Sequence, residues 1–394
     1  MNINVSGIGI TKFGELWGVS PRSLARQAVE AALEDAGLSV SDIDVLIVAN
    51  MLSGILGNQE HLGVLFSEEL GFFHTPSFKV EGACASGGLA VHTAVNSLLG
   101  GKYKRVMVLG VEKMTDHKPE FVSSALMGAG TNEERLAGMT FPGVYALLAQ
   151  AHMKTYGTTE EQMASVAVKN HYHASLNPNA QFHSLLTVEK VIKSACVADP
   201  LKLLDCSPIS DGAAAVILQK TESTRLPAGQ GKQKTEVNII ASQVATDTLG
   251  VAQRKSLTTL KATEIAAKKA YKEAGVSPKD IDIAEVHDCF TIAEILAMED
   301  LGFCEKGKAA AFISSGKTTL GVAKNFVVNT SGGLKGCGHP VGTTGVKQIV
   351  EIVEQLRGSA GKRQVVDARI GLTQNVGGSG ATCVVHILKK DNKQ

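Results

Sequence analysis

Leu33-Glu34-Asp35-Ala36-Gly37-Leu38-Ser39 runs into Asp42-Ile43-Asp44-Val45-Leu46-Ile47-Val48. Much later, Tyr271-Lys272-Glu273-Ala274-Gly275-Val276-Ser277 runs into Asp280-Ile281-Asp282-Ile283-Ala284-Glu285-Val286. Each stretch reads as a helix stopped by glycine, a turn, and an apolar strand. The pattern predicts helices over Ala25–Ala36 and Thr263–Ala274, with Gly37 and Gly275 as left-handed C-terminal caps. One pattern met twice in a chain is the mark of an internal repeat.

The match extends outward in the same order. In the first half a strand around Phe78–Val80 leads to Cys84, a helix runs to about Leu99, and a strand covers Arg105–Leu109. In the second half a strand covers Asn325–Asn329 and a glycine-rich turn, Ser331–His339, enters a helix from about Gly342 to Leu356. The strand Ala368–Leu372 follows. Each half closes with a small-residue turn and an apolar strand, Ser210–Leu218 and Gly378–Leu388. Each half is therefore a β-α-β-α-β-β unit of an α/β protein. Two such units stacked together bury a common helical layer, giving an α-β-α-β-α core.

The expected boundaries follow. Residues 1–113 with 200–225 form an N-terminal half, and residues 235–394 a C-terminal half. Residues 114–199 have no counterpart in the second half and are expected as an inserted loop domain over the active face. Residues 226–234, within the polar run Thr221–Lys234, are expected to be the linker.

Composition narrows the class. The chain has 394 residues, 44% apolar and 20% charged, with a formal net charge of +1. That balance offers no basic surface for nucleic acid or a membrane. No apolar run is long enough to span a bilayer. The seven cysteines are scattered, odd in number and without a CxxC pair, so neither a disulfide framework nor a zinc ribbon is expected. A reducing cytoplasm fits, and Met1–Val5 reads as a strand rather than a signal peptide.

Chemistry concentrates in three places. Cys84 lies in Glu81-Gly82-Ala83-Cys84-Ala85-Ser86-Gly87-Gly88, where small neighbours admit a substrate. The helix N-terminus that follows is expected to lower the thiol pKa. The bland alternative is a packed thiol. His339, in Gly336-Cys337-Gly338-His339-Pro340, holds in the second half the place of Cys84 in the first. Two elbows meeting across a pseudo-twofold would pair a nucleophile with a base. His287-Asp288-Cys289-Phe290 follows a strand, and strand ends face the site in such sheets. Asp288 should point the other way. Cys196, Cys206 and Cys383 are read as packing thiols. Met139, Phe141 and Met153 are read as core, or as the lining of a channel.

These blocks, with Asp205–Ala213 and Gly332–Gly345, resemble the thiolase family, in particular its sterol-carrier-protein-type branch and archaeal relatives. The resemblance implies a thiolase-like fold and an acetyl-CoA C-acetyltransferase of lipid or isoprenoid metabolism. It implies that Cys84 takes the acyl group as a thioester. His339 would take the thiol proton and serve an oxyanion site. His287 stands where most degradative relatives carry the asparagine of an NEAF-type motif. The oxyanion hole would use the backbone N–H of Cys84 and one from the Val376-Gly377-Gly378 loop, so Gly377 and Gly378 are both candidates. The last glycine-rich loop, Gln374–Gly380, lacks the usual acid/base cysteine. Cys289 is then the expected proton carrier, with Cys337 as runner-up and lost competence as the third reading.

Further expectations follow from the same resemblance. Acetyl-CoA and CoA are substrates rather than resident cofactors, no metal is expected, and no residue is assigned to CoA. His171, His173 and His183 are expected at the surface or near CoA. A homodimer or homotetramer is expected. A complex with a zinc-ribbon/OB-fold protein and hydroxymethylglutaryl-CoA synthase is a further partner reading. Two alternatives stay open. One is a ketosynthase or hydroxymethylglutaryl-CoA synthase-like enzyme, for which Glu112 is a weak candidate acid. The other is a channelling scaffold subunit.

Overall fold

The computed structural model describes residues 1–221, 235–323 and 326–391. The expected linker, 226–234, and the start of the Asn325–Asn329 strand lie outside the described residues.

The first half contributes β1 (Ile3–Ile10), β2 (Val45–Ala49), β3 (Ser77–Val80) and β4 (Arg105–Glu112). A short pair, β5 (Cys196–Ala198) and β6 (Leu201–Lys202), precedes β7 (Gly212–Lys220). The second half contributes β8 (Val237–Thr246), β9 (Ile283–Glu285), β10 (Val327–Val328), β11 (Ile370–Gly377) and β12 (Thr382–Lys390). All but β5 and β6 lie in one sheet, ordered β10-β9-β11-β12-β8-β1-β7-β4-β2-β3.

Read outward from its centre, that sheet repeats itself. The order β1-β7-β4-β2-β3 is matched by β8-β12-β11-β9-β10. In each half the first two pairings are antiparallel and the last two parallel. The halves join where Ile3 faces Ile239 and Asn4 faces Asn238. Parallel neighbours need crossovers, and helices supply them. The long helices between strands are Pro21–Ala36 (β1 to β2) and Ser86–Leu99 (β3 to β4), then Lys261–Ala274 (β8 to β9) and Thr344–Arg357 (β10 to β11). Gly37 and Gly275 end the first helix of each pair at φ 65 and 66. The left-handed turn there frees the chain to reverse into a strand.

Layering follows from strand alternation. Val45 and Ile47 face the central helices, packed with Val91, Val346 and Ile349. Leu46 and Val48 face the opposite way, against Leu24 and Ala28 of the helix Pro21–Ala36. The second half covers its outer face with Ala266 and Ala270. The two central helices touch because glycine lets them. A Cβ on Gly345 would lie 2.1 Å from the Gly88 nitrogen, and one on Gly87 would lie 2.7 Å from the Gly345 nitrogen. That contact brings the two helix N-termini together, and with them the two elbows.

Several local expectations change. The glycine-rich turn Ser331–His339 contains a short helix, Gly333–Cys337. The helix Glu160–Ser175, capped by Thr159, packs one face into the interior. His171 and His173 are therefore buried, not at the surface. Burial pushes their pKa values down to about 4 and about 3. His173 spans two loops: Nδ1–H donates to the Asn329 carbonyl at 2.9 Å and Nε2 accepts from the Leu320 N–H at 2.9 Å. His183 is exposed. Cys196, read as a packing thiol, is exposed on β5. No helix among the described residues is long and apolar enough to cross a membrane.

Candidate active site

β3 ends in a sharp elbow. Ala83 adopts φ 54, a left-handed conformation that costs a non-glycine residue about 1–2 kcal/mol. Ser86 holds it: its hydroxyl accepts from the Gly82 N–H at 3.0 Å and donates to the Ala83 carbonyl at 2.6 Å. The turn leaves Cys84 at the mouth of the helix Ser86–Leu99, nearly buried.

The second elbow follows the helix Gly333–Cys337. The His339 N–H donates to the Ser210 hydroxyl at 2.9 Å. His339 Nδ1 lies 2.7 Å from the Thr344 hydroxyl, which itself donates to the Pro340 carbonyl at 3.2 Å. A hydroxyl has one proton, so Nδ1–H donates and Nε2 is the bare nitrogen. His287 leaves the end of β9, with its N–H donating to Gln374 Oε1 at 2.9 Å. Its Nδ1 lies 3.2 Å from Asn375 Nδ2.

Cys84 Sγ and one ring nitrogen from each histidine all lie within 4.8 Å of one another. The two rings meet edge to face with centroids 5.0 Å apart. They share a cavity of about 250 Å³ with Cys289. Pro119, Leu126, Phe141 and Tyr145, from the stretch 114–199, also line it. Apolar walls of this kind exclude water and strengthen every hydrogen bond inside.

Electrostatics follow from that dryness. Burial pushes the Cys84 thiol up to about 12, against the opposing N–H donors of Gly378 and of Cys84 itself. Burial thus works against the lowering expected from the helix N-terminus. Burial also raises the Cys289 thiol well above the ordinary range, against a hydrogen bond with the Tyr145 hydroxyl. His339 is pushed down to about 3 and His287 well below its usual value by burial, with Lys347 adding positive charge nearby. The resting site therefore holds neutral thiols and neutral imidazoles.

Placement separates the sequence candidates. Cys84, His287, Cys289 and His339 converge on one cavity. Of the loop candidates for the oxyanion hole, Gly378 sits at the cavity with φ 61, while Gly377 remains in β11 opposite Thr382. Cys337 does not line the cavity; it packs with Phe13, Ala174 and Ala180. Asp288 points away from the cavity and accepts from the Leu334 N–H at 2.7 Å. Cys206 packs against the core as expected and also borders the cavity, and Cys383 is buried in β12. Phe141 lines the cavity, Met139 lines a neighbouring outer cleft, and Met153 packs on the core. Glu112 is occupied structurally, accepting from the N–H groups of Met51, Leu52 and Gly342.

Sequence reading missed Tyr145, Asn375, Ser210 and Thr344. Ser210 and Asn375 lie inside blocks already marked as unusual. Thr344 follows the His339 elbow. Tyr145 sits on a helix of the inserted region with no local signal, yet its hydroxyl donates to the Gly378 carbonyl at 3.2 Å.

Known proteins are similar to this chain along nearly its whole length. Residues 5–222 match the family description "Thiolase, N-terminal domain", and residues 243–390 match "Thiolase C-terminal domain-like". An acetyl-CoA acetyltransferase of Methanothermobacter thermautotrophicus is 47% identical over 99% of this chain and 100% of that protein. Sterol carrier protein 2 of Rattus norvegicus is 34% identical over 96% of this chain and 70% of that protein. The solved structure titled "Ltp2-ChsH2(DUF35) aldolase" superposes with a TM-score of 0.84 at 26% identity, covering 100% of this chain and 99% of that one. With a repeated fold, two facing elbows and full-length relatives in agreement, the chain belongs to the thiolase family.

Proposed function

We propose that the chain is an acetyl-CoA C-acetyltransferase working through an acyl-Cys84 intermediate. The observation that carries the reading is the cluster of Cys84 Sγ with His287 and His339, all within 4.8 Å, beside Cys289 in one largely apolar cavity. Because Cys84 is a thiol at neutral pH, it needs a base, and His339 Nε2 is bare. Sulfur attacks the thioester carbonyl as its proton passes to His339. The oxyanion develops against the N–H groups of Cys84 and Gly378, donors that cost no reorganisation. CoA leaves as a thiolate and takes the Cys289 proton. Cys289, now the base, removes the α-proton of a second acetyl-CoA. The enolate oxygen is held by the His287 ring N–H and by protonated His339. The enolate carbon attacks acetyl-Cys84, acetoacetyl-CoA leaves, and His339 returns the proton to Cys84. Protons balance over the cycle.

Thiolysis of acetoacetyl-CoA by CoA, followed by absorbance, tests the reading. C84A should abolish turnover. C289A should lower it about 10²–10⁴-fold, the usual weight of a general acid/base, while Cys84 still accepts acetyl from acetyl-CoA by mass spectrometry. Full activity in C289A removes the proton role from that residue. A wild type that turns over only malonyl thioesters makes this a decarboxylating ketosynthase.

A homo-oligomer and a DUF35-type partner belong to the same proposal. β3 is an outer edge of the sheet and presents exposed Phe78, which supports strand pairing with a second copy. The aldolase structure whose title includes a DUF35 protein supports the partner reading. Light scattering of the pure chain, with F78K as comparison, decides the first; a monomeric wild type overturns it.

A further inference from the structure

Two imidazoles face Cys84, and the proposed chemistry needs them to differ: one must accept a proton and the other must donate a hydrogen bond. Burial keeps both rings neutral, so each carries one N–H and one bare nitrogen. Which nitrogen carries the proton is set by the partner of the other. For His339 that partner is the Thr344 hydroxyl, and Nε2 is bare. For His287 it is Asn375.

Asn375 has no freedom in how it is oriented. Its Oδ1 accepts from the Gly88 N–H at 3.0 Å, and its Nδ2 donates to the Cys84 carbonyl at 3.0 Å. A backbone N–H only donates and a backbone carbonyl only accepts. Turning the amide over would therefore break both bonds and set like against like. The second Nδ2 hydrogen is aimed at His287 Nδ1, 3.2 Å away. That nitrogen must accept, so the His287 proton sits on Nε2.

We propose that Asn375 is the positioning residue that locks His287 as an Nε2–H donor, leaving His339 as the base for Cys84. Asn375 also sits in the glycine-rich loop that lacks the acid/base cysteine. The residue there orients a histidine instead of carrying a proton. The kinetic part of this inference rests on the acyl-Cys84 reading; the tautomer itself does not.

The first measurement needs no turnover. Proton–nitrogen correlation spectra of the imidazole-labelled wild-type protein, with His287 assigned by its loss in H287N, report which ring nitrogen is protonated. Protonation at Nε2 is expected; protonation at Nδ1 overturns the proposal. The second measurement uses N375D, whose carboxylate accepts from Nδ1–H and so reverses the tautomer. It should lower kcat for thiolysis about 10²–10³-fold, as for loss of one oxyanion donor, with KM changed far less. In the H287N background the side-chain amide supplies a donor whatever residue 375 is. There N375D still loses its bond to the Cys84 carbonyl but has no tautomer to reverse, so it should cost at least about tenfold less than in the wild type, a non-additive pair. Equal losses in both backgrounds make Asn375 a merely structural residue and overturn the lock. Nε2 protonation in a protein without thiolase turnover would instead leave the lock intact and sink the acyl-Cys84 reading.

Discussion

Burial sets the Cys84 thiol at about 12, so the free protein holds a protonated nucleophile. The sign of its pH response follows: the reactive thiolate fraction grows as pH rises toward that value. Alkylation of Cys84 by iodoacetamide, located by peptide mass spectrometry, should climb about tenfold per pH unit between about pH 7 and about pH 9 without levelling. A plateau near neutrality would mean a preformed thiolate–imidazolium pair. The helix N-terminus, legible in the sequence, promised a lowered thiol pKa. What opposed it was not legible, because the walls that dry the site come from Leu126 and Phe141 of the inserted region. No local pattern says that those side chains fold back over Cys84.

The central pair of helices is the element on which the site depends. Ser86–Leu99 and Thr344–Arg357 each carry an elbow at the N-terminal end, so their separation sets the distance between Cys84 and His339. G345A puts a methyl group into the Gly88 backbone and should cost about 1–3 kcal/mol or more in overpacking. Thiolysis should fall with it, because the elbows are driven apart. G18A is the control: a Cβ there meets nothing within 4 Å. Thermal unfolding and activity of the two variants decide the matter, and a G345A protein as stable and active as G18A would refute it. The helices themselves were foreseen from the internal repeat, each following a small-residue or glycine-rich turn. Their contact was not, since glycine at a helix start also reads as a turn.

Across the whole molecule the two halves are tied by more than strands β1 and β8. Arg357, at the end of a second-half helix, reaches Asp35 at 2.7 Å and the Val5 carbonyl at 2.8 Å in the first half. Asp35 keeps a quarter of its side-chain exposure, which screens the pair. R357M should therefore destabilise by about 2–3 kcal/mol, mostly through the lost charged hydrogen bonds. Chemical denaturation measures it; an unchanged midpoint would show that this arginine adds nothing to the sheet and helix contacts that join the halves.

The repeat, the order of its elements along the chain and the pairing of Cys84 with His339 were determined by the sequence. Both halves carry the same local signals in the same order, and local signals depend on neighbours a few residues apart. Four of the cavity residues were named for the same reason, each standing at the end of a strand or the start of a helix. Tertiary structure alone decided the rest. It buried His171 and His173, moved Cys337 away from the cavity, and raised a thiol that the helix dipole would have lowered. It also brought Asn375 to the Cys84 carbonyl across 291 positions of sequence. Burial and hydrogen-bond partners are properties of contacts between distant segments, and each depends on which side chains fill the space between them.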